Sequence, residues 1–248
     1  MLSKNTVKYI NSLKTNKFRN KYNKFIAEGP KIVGELLRSQ FDVESVYAVG
    51  QYKSITDKTE ITEISEQELK RISSLKTPNQ VLAVVNIPDT KTDSDSLKNE
   101  LVLVLDDIND PGNLGTIIRS ADWFGVRHIV CSNNTVDVYN PKVIQATMGS
   151  FIRVKTIYTD LNKFFTNLSF TPPVFGALLK GKNIFKMKLP PEGFIIIGNE
   201  SKGISGNLKQ FITHPVMIPS FAQIESAESL NASVATSIIL AEFRRQQF

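Results

Sequence analysis

LVLVLDDINDPGNLGTIIRSADWFG, residues 101–125, is the stretch from which the fold is read. Leu101–Leu105 is purely apolar and has the length of a strand buried on both faces. Asp106 and Asp107 follow, then a polar loop from Asn109 to Gly115. A helix is predicted from about Thr116, with Ile117, Ile118, Ala121 and Phe124 on its apolar face and Gly125 as its stop. A strand that ends in a glycine loop and feeds a helix builds a pocket from backbone amides. In open α/β sheets, ligands sit at that end of the strands. Helix N-termini favour anions, and Arg119, one turn in, adds a guanidinium, so a phosphate suits the place. Taken alone, the stretch reads more simply as turn glycines beside a solvated arginine.

Two later stretches change the weight. FIIIGNESKGIS, residues 194–205, is an apolar strand followed by Gly198, Asn199, Glu200 and Gly203. VMIPSFAQIESAESLNASVATSIILAEFRR, residues 216–245, is a short strand, Pro219, a polar loop and a long helix. With Asn113, Gly115 and Arg119 from the first stretch and Pro219, Ser229, Leu230, Asn231, Ser233, Val234 and Ala235 from the third, these resemble the three motifs of the SpoU/TrmH family of RNA ribose 2′-O-methyltransferases, in the SPOUT superfamily. Three motifs in order and register carry far more weight than one.

The resemblance implies a carboxyl-terminal trefoil knot whose loops, around 198–203, 218–220 and 226–231, hold S-adenosylmethionine. It names Gly198, Asn199, Gly203, Ile218, Ser220 and Leu230, with Met148 beside them, as cofactor-binding residues. Arg119 becomes the central catalytic residue, engaged by the RNA phosphate. Asn113 fixes its loop or positions the ribose, and Glu200 orients Arg119 or Asn113. Ser229 and Asn231 belong to the active centre, and Ser229 is a candidate cap for the last helix. Family members pair as homodimers through the knotted domain. The segment 220–228 lacks the glycine common in relatives, and Glu225 and Glu228 bring negative charge towards a supposed RNA site.

Composition bounds the alternatives. A chain of 248 residues, 41% hydrophobic, buries a real core. The single Cys131 excludes an internal disulfide. With no signal-like segment and no apolar run long enough to span a bilayer, a cytoplasmic home is expected. Two histidines, His128 and His214, leave little for a metal site or a Ser-His-Asp triad. The net charge of +6 is concentrated: residues 1–31 hold eight lysines and arginines against Glu28 alone, while the remainder carries 22 basic and 23 acidic groups. Such a block suits nucleic acid. Lys14, Lys17, Arg19 and Lys21 are the RNA-binding candidates, and Phe18, Tyr22 and Phe25 among them either stack on bases or anchor the segment.

In chain order, Ser3 is expected to cap a first helix, 24–30 to be extended with a turn, and 31–39, 62–75, 140–148 and 161–168 to be helical. Strands are expected at 43–49, 81–85, 129–132, 151–158, 174–179, 194–197 and 216–218, with a last helix at 229–246. The expected class is α/β: a mostly parallel sheet covered by helices, knotted at its carboxyl end, plus a small N-terminal α/β substrate-binding domain. The domains read as 1–88 for RNA, 89–99 as linker and 100–248 for catalysis. The expected activity is S-adenosylmethionine-dependent methylation of a ribose 2′-hydroxyl in rRNA or tRNA, without metal. Alternatives are a non-catalytic RNA-binding or assembly protein, a nicotinamide oxidoreductase, which lacks G-x-G-x-x-G here, and a conventional methyltransferase, which lacks a glycine triplet after the first strand.

Overall fold

The computed structural model describes residues 1–50, 52, 60–89, 94–222 and 229–247. Helices are α1 (Lys4–Ser12), α2 (Asn16–Tyr22), α3 (Pro30–Arg38), α4 (Glu66–Ile72), α5 (Pro111–Trp123), α6 (Pro141–Thr147), α7 (Leu161–Thr166), α8 (Gly206–Lys209) and α9 (Ala232–Arg245). Strands are β1 (Lys24–Glu28), β2 (Val43–Ala48), β3 (Ile61–Glu63), β4 (Val81–Asn86), β5 (Leu101–Leu105), β6 (His128–Ser132), β7 (Lys155–Thr159), β8 (Val174–Asn183), β9 (Gly193–Ile197) and β10 (His214–Met217). They form two compact units, residues 1–89 with 137–152 and residues 90–136 with 153–248.

The first unit has a four-stranded sheet in the order β1-β4-β2-β3, with β4 antiparallel to both neighbours and β3 parallel to β2. Ser3 caps α1 by accepting the Thr6 amide at 3.0 Å, as its position predicts. The helix expected over 62–75 is shorter: Thr62 lies in β3, paired with Tyr47 of β2, and a capping box between Ser65 and Glu68 fixes the start of α4. Ile10, Leu13, Ile26, Leu69, Ile72, Leu82 and Val84 form the core on one face. On the other face Phe25 packs against Tyr139 and Phe151, ring centroids 4.6 and 5.9 Å away, and Gln145 donates to the Glu28 carbonyl at 2.9 Å. These contacts draw 137–152 into this unit. Of the strand expected over 151–158, only Lys155–Thr159 forms, because Ser150–Ile152 turns in a short 3-10 helix.

The second unit is a six-stranded sheet in the order β10-β8-β9-β5-β6-β7, parallel at every pairing. All five residues of β5 are buried, which is what its unbroken apolar run requires. Val102, Val104, Val130, Phe194 and Ile196 face Leu161, Phe165 and Leu208 of α7 and α8. The alternate residues point the other way, and there Phe243 of α9 meets Phe175 edge-on at 4.9 Å. The helices α5 and α9 are joined by Ser120 and Ser237 at 2.8 Å and by Arg244 donating to the Phe124 carbonyl at 2.7 Å.

Two helix starts differ from the sequence reading. The helix α5 begins at Pro111, with the Asp110 carboxylate accepting the Asn113 amide at 2.8 Å. Proline at the first helical position and an aspartate cap outweigh the two glycines, so the expected loop Asn109–Gly115 is mostly the first turns of a helix. The helix α9 begins at Ala232 and is capped by Asn231, not by Ser229. No helix among the described residues is long and apolar enough to cross a membrane.

Candidate functional site

Because every strand of the second unit runs the same way, the segments after β5, β6, β9 and β10 leave from one edge of the sheet. Polar groups, the buried Asp106 among them, tie the segments after β5, β6 and β9 together. The Asp106 amide donates to the Ile197 carbonyl at 2.9 Å, and the buried Asp106 carboxylate accepts the Ser205 amide at 2.7 Å. The Asn199 side chain accepts the amides of Ser201 and Lys202, each at 3.0 Å, and donates to the Asp107 carbonyl at 2.8 Å. Asp107 itself sits at φ 58° and exchanges hydrogen bonds with Ser132. The 198–204 loop closes on itself so tightly that a Cβ on Gly198 would lie 2.3 Å from the Gly203 and Ile204 backbone.

Three residues singled out in the sequence meet here. Asn231 donates to Asn113 at 2.8 Å, and Asn113 donates to Glu200 at 2.7 Å. The direction of this chain is fixed by the backbone. The Asn231 Oδ1 accepts the amides of Ser233 and Val234 at the start of α9, so its Nδ2 must face Asn113. Asn113 therefore presents Oδ1 to Asn231 and Nδ2 to Glu200, and the last acceptor is a carboxylate. One carboxylate oxygen of Glu200 is held, and the residue is exposed.

Arg119 is exposed and makes no hydrogen bond or ion pair among the described residues. It lies six residues beyond Asn113 on α5, about 9 Å along the helix axis, and so two turns in rather than one. Ile218 is half-buried after β10, Ser220 is exposed and accepts the Ala222 amide at 3.3 Å, and Leu230 is 49% exposed beside the Asn231 cap. Ser229 is exposed, outside the Asn231–Asn113–Glu200 chain. Residues 223–228, with Glu225 and Glu228, lie outside the described residues.

The remaining candidates belong to the first unit. Met148 ends α6 in the left-handed conformation, φ 54°, with its side chain partly exposed. Lys17 and Lys21 are exposed on α2. Lys14 is half-buried, with its ammonium donating to the Ser73 carbonyl at 2.7 Å. Desolvation lowers its pKa, against the opposing pull of Glu28. Arg19 corrects the sequence reading: it is 2% exposed, and its guanidinium grips Asp137 at 2.6 Å and donates to the Leu13 carbonyl at 3.1 Å. A buried, paired guanidinium cannot bind a phosphate. Its partner lies 118 residues away in sequence, where no local pattern could reveal it.

Sequence reasoning misses Asp106, Asp107 and Ser132 as site builders. The signal for them is weak: two carboxylates directly after a fully apolar strand have to find donors at its end.

Comparison with known proteins gives a consistent picture. Residues 100–241 match the SpoU rRNA Methylase family, and residues 4–83 match the MRM3-like substrate binding domain. The Bacillus subtilis 23S rRNA (guanosine(2553)-2'-O)-methyltransferase RlmP is 30% identical over 243 residues, 96% of this chain and 95% of its own. A solved structure from Porphyromonas gingivalis, described as an RNA methyltransferase of the TrmH family, superposes with a TM-score of 0.89 at 35% identity, covering 99% of each chain. An AdoMet-bound rRNA methyltransferase from Sinorhizobium meliloti gives a TM-score of 0.87 at 26% identity, covering 100% of this chain and 97% of that one.

Proposed function

We infer that this chain, which belongs to the SpoU rRNA methylase family, is an enzyme that methylates a ribose 2′-hydroxyl of RNA with S-adenosylmethionine as donor. The observation that carries the reading is the directed chain Asn231–Asn113–Glu200 at the carboxyl edge of a parallel sheet. It joins residues from three segments distant in sequence, the first turn of α5, the loop after β9 and the cap of α9, into a fixed polar surface. The relatives' names point to rRNA as the substrate class.

The loops fit the cofactor chemically. Residues 198–204 expose main-chain groups in a closed turn that only glycine permits at 198, and Phe221 and Leu230 offer exposed apolar surface to a purine. Gly198, Asn199, Gly203, Ile218, Ser220 and Leu230 are the residues we assign to it. Asn199 acts by shaping the loop, since its side-chain acceptor is already taken by Ser201 and Lys202. When bound, S-adenosylmethionine supplies an electrophilic methyl group.

The protein's own groups then hold and ready the RNA. Arg119, unpaired among the described residues, is suited to gripping a phosphate with its planar fork. As a guanidinium it stabilises negative charge developing on the 2′-oxygen rather than removing the proton itself. Asn113, held between Asn231 and Glu200, has one amide hydrogen left to direct at the ribose. The uncommitted oxygen of Glu200 is placed to orient a donor. Ser229 stands next to this group in sequence and belongs to the same centre.

We assign residues 1–88 to RNA recognition, 89–99 to the link and 100–248 to chemistry. The carboxyl-terminal sheet is read as a trefoil knot on the strength of the family match. A homodimer through the second unit is supported by Trp123 on α5 and Val234 on α9, 85% and 47% exposed. A cytoplasmic location accords with an rRNA substrate.

The test is ribose-methylation mapping by mass spectrometry, on rRNA from cells lacking the gene, after incubation with the purified protein and S-adenosylmethionine. One new 2′-O-methyl nucleotide is expected. Methyl transfer to a base, or cofactor binding with no transfer to any RNA, would contradict the reading.

A further inference from the structure

The helix α2 inverts the usual distribution of side chains. A helix packed on a domain normally buries its aromatics and leaves its arginines in water. The only buried residue of α2 is Arg19, whereas Tyr22 is 38% exposed and Phe18 is half-buried outside the core cluster. Arg19 does the anchoring, through Asp137 and the Leu13 carbonyl. The aromatics are thereby released from a packing role. Such a local reversal is costly, because burying a guanidinium needs a matched partner. Reversals of this kind mark functional positions more often than errors.

The two rings are ordered rather than scattered. Phe18 and Tyr22, one turn apart, lie 6.1 Å centroid to centroid with planes 15° from parallel. Tyr9 meets Tyr22 edge-on at 5.3 Å, and the Tyr9 hydroxyl donates to Glu44 at 3.2 Å, which fixes the plane of the pair. Lys17 and Lys21 set their ammonium groups over the Phe18 and Tyr22 rings, 5.9 and 5.3 Å from the centroids, so a base stacking on those faces displaces a flexible lysine head towards its phosphate. No acidic residue occurs before Glu28, and Glu44 is matched by an ion pair with Lys24. The surface therefore combines near-parallel π-faces with unopposed positive charge. Flat rings carrying mobile cations suit unstacked bases and the phosphates joining them. They do not suit a duplex, whose bases are covered by their neighbours.

Building on the reading that the substrate is RNA, we propose that Phe18 and Tyr22 form a stacking platform for unpaired nucleotides of that RNA, with Lys17 and Lys21 on the adjoining phosphates. The enzyme then recognises a single-stranded element in its substrate. The charge block of residues 1–31 acts through these two exposed lysines and not through Arg19.

The test uses the full-length protein and two probes: a twelve-nucleotide single-stranded oligoribonucleotide carrying 2-aminopurine, and a fully paired RNA duplex of the same length. The wild type is expected to bind the single strand more tightly and to quench its fluorescence. Tyr22→Leu, which keeps apolar volume, should weaken single-strand binding by about 5- to 100-fold, the scale of one lost base stack. Its salt dependence should not change, and neither should duplex binding. Tyr22→Trp should restore affinity and quenching. Lys17→Gln with Lys21→Gln should instead flatten the log–log salt slope by about 0.7 for each phosphate no longer neutralised. Equal binding of both probes by the wild type, or wild-type affinity and quenching in Tyr22→Leu, would overturn the proposal. Because binding is read without methyl transfer, a wild type that methylates rRNA while Tyr22→Leu binds normally refutes only the platform.

Discussion

Asn231, the residue that caps α9, donates its side-chain amide to Asn113 in the first turn of α5 at 2.8 Å, across 118 residues of sequence. One side chain thus performs two tasks. Its oxygen satisfies the start of a helix, and its nitrogen sets the orientation of the amide that reaches Glu200.

These tasks can be separated. Asn231→Asp keeps an oxygen for the Ser233 and Val234 amides and suits the helix N-terminus. It cannot donate to Asn113 and puts a carboxylate against Asn113 Oδ1. Its melting temperature should stay near that of the wild type while methyl transfer falls at least tenfold. Asn231→Ala loses both tasks and should also lose about 1 kcal/mol of stability. If Asn231→Asp is fully active, the amide chain does not orient the site.

Gly198 and Gly203 distinguish space from backbone conformation. At Gly198 a methyl group would collide with backbone 2.3 Å away, whereas at Gly203, φ +67°, nothing lies within 4 Å. Gly198→Ala should lower the melting temperature and abolish S-adenosylmethionine binding in calorimetry. Gly203→Ala should cost only about 1–2 kcal/mol of left-handed strain and retain measurable binding. Tight cofactor binding by Gly198→Ala would show that the loop is not the cofactor's.

Arg19 should behave as a structural residue. Arg19→Gln leaves Asp137 without its buried partner and should destabilise the protein by about 3 kcal/mol or more. Denaturant unfolding measures this directly. At a temperature where the variant is still folded, the salt dependence of its RNA binding should match the wild type. A reduced slope with unchanged stability would restore Arg19 to the RNA surface.

The fold is largely legible in the sequence because its signals are local. The apolar run Leu101–Leu105 reads only as a doubly buried strand, and the alternation of strands with helices implies a parallel sheet. The motif residues Asn113, Glu200 and Asn231 are legible as candidates through family resemblance. Their shared hydrogen bonds are not, because pairings across 87 and 118 residues leave no periodicity. The start of α5 is hidden because Gly112 and Gly115 resemble a loop until the Asp110 cap and Pro111 are weighed. Arg19 misleads for a related reason. Charge predicts exposure on average, and its burial depends on an aspartate that only tertiary structure brings near.

Arg119 carries the central claim, since it is exposed on α5 and unpaired among the described residues. The most direct measurement is the single-turnover rate of 2′-O-methyl transfer by Arg119→Ala with saturating RNA and S-adenosylmethionine, beside Arg119→Lys and the wild type. Saturation removes weakened binding as a cause, and calorimetry on the same samples should find S-adenosylmethionine affinity unchanged. The account predicts a fall of about 10²-fold or more for Arg119→Ala, the scale of losing one preorganised charge stabiliser, with Arg119→Lys only partly recovering because the fork is lost. A near-wild-type rate for Arg119→Ala, in a protein whose wild type methylates RNA, would contradict it.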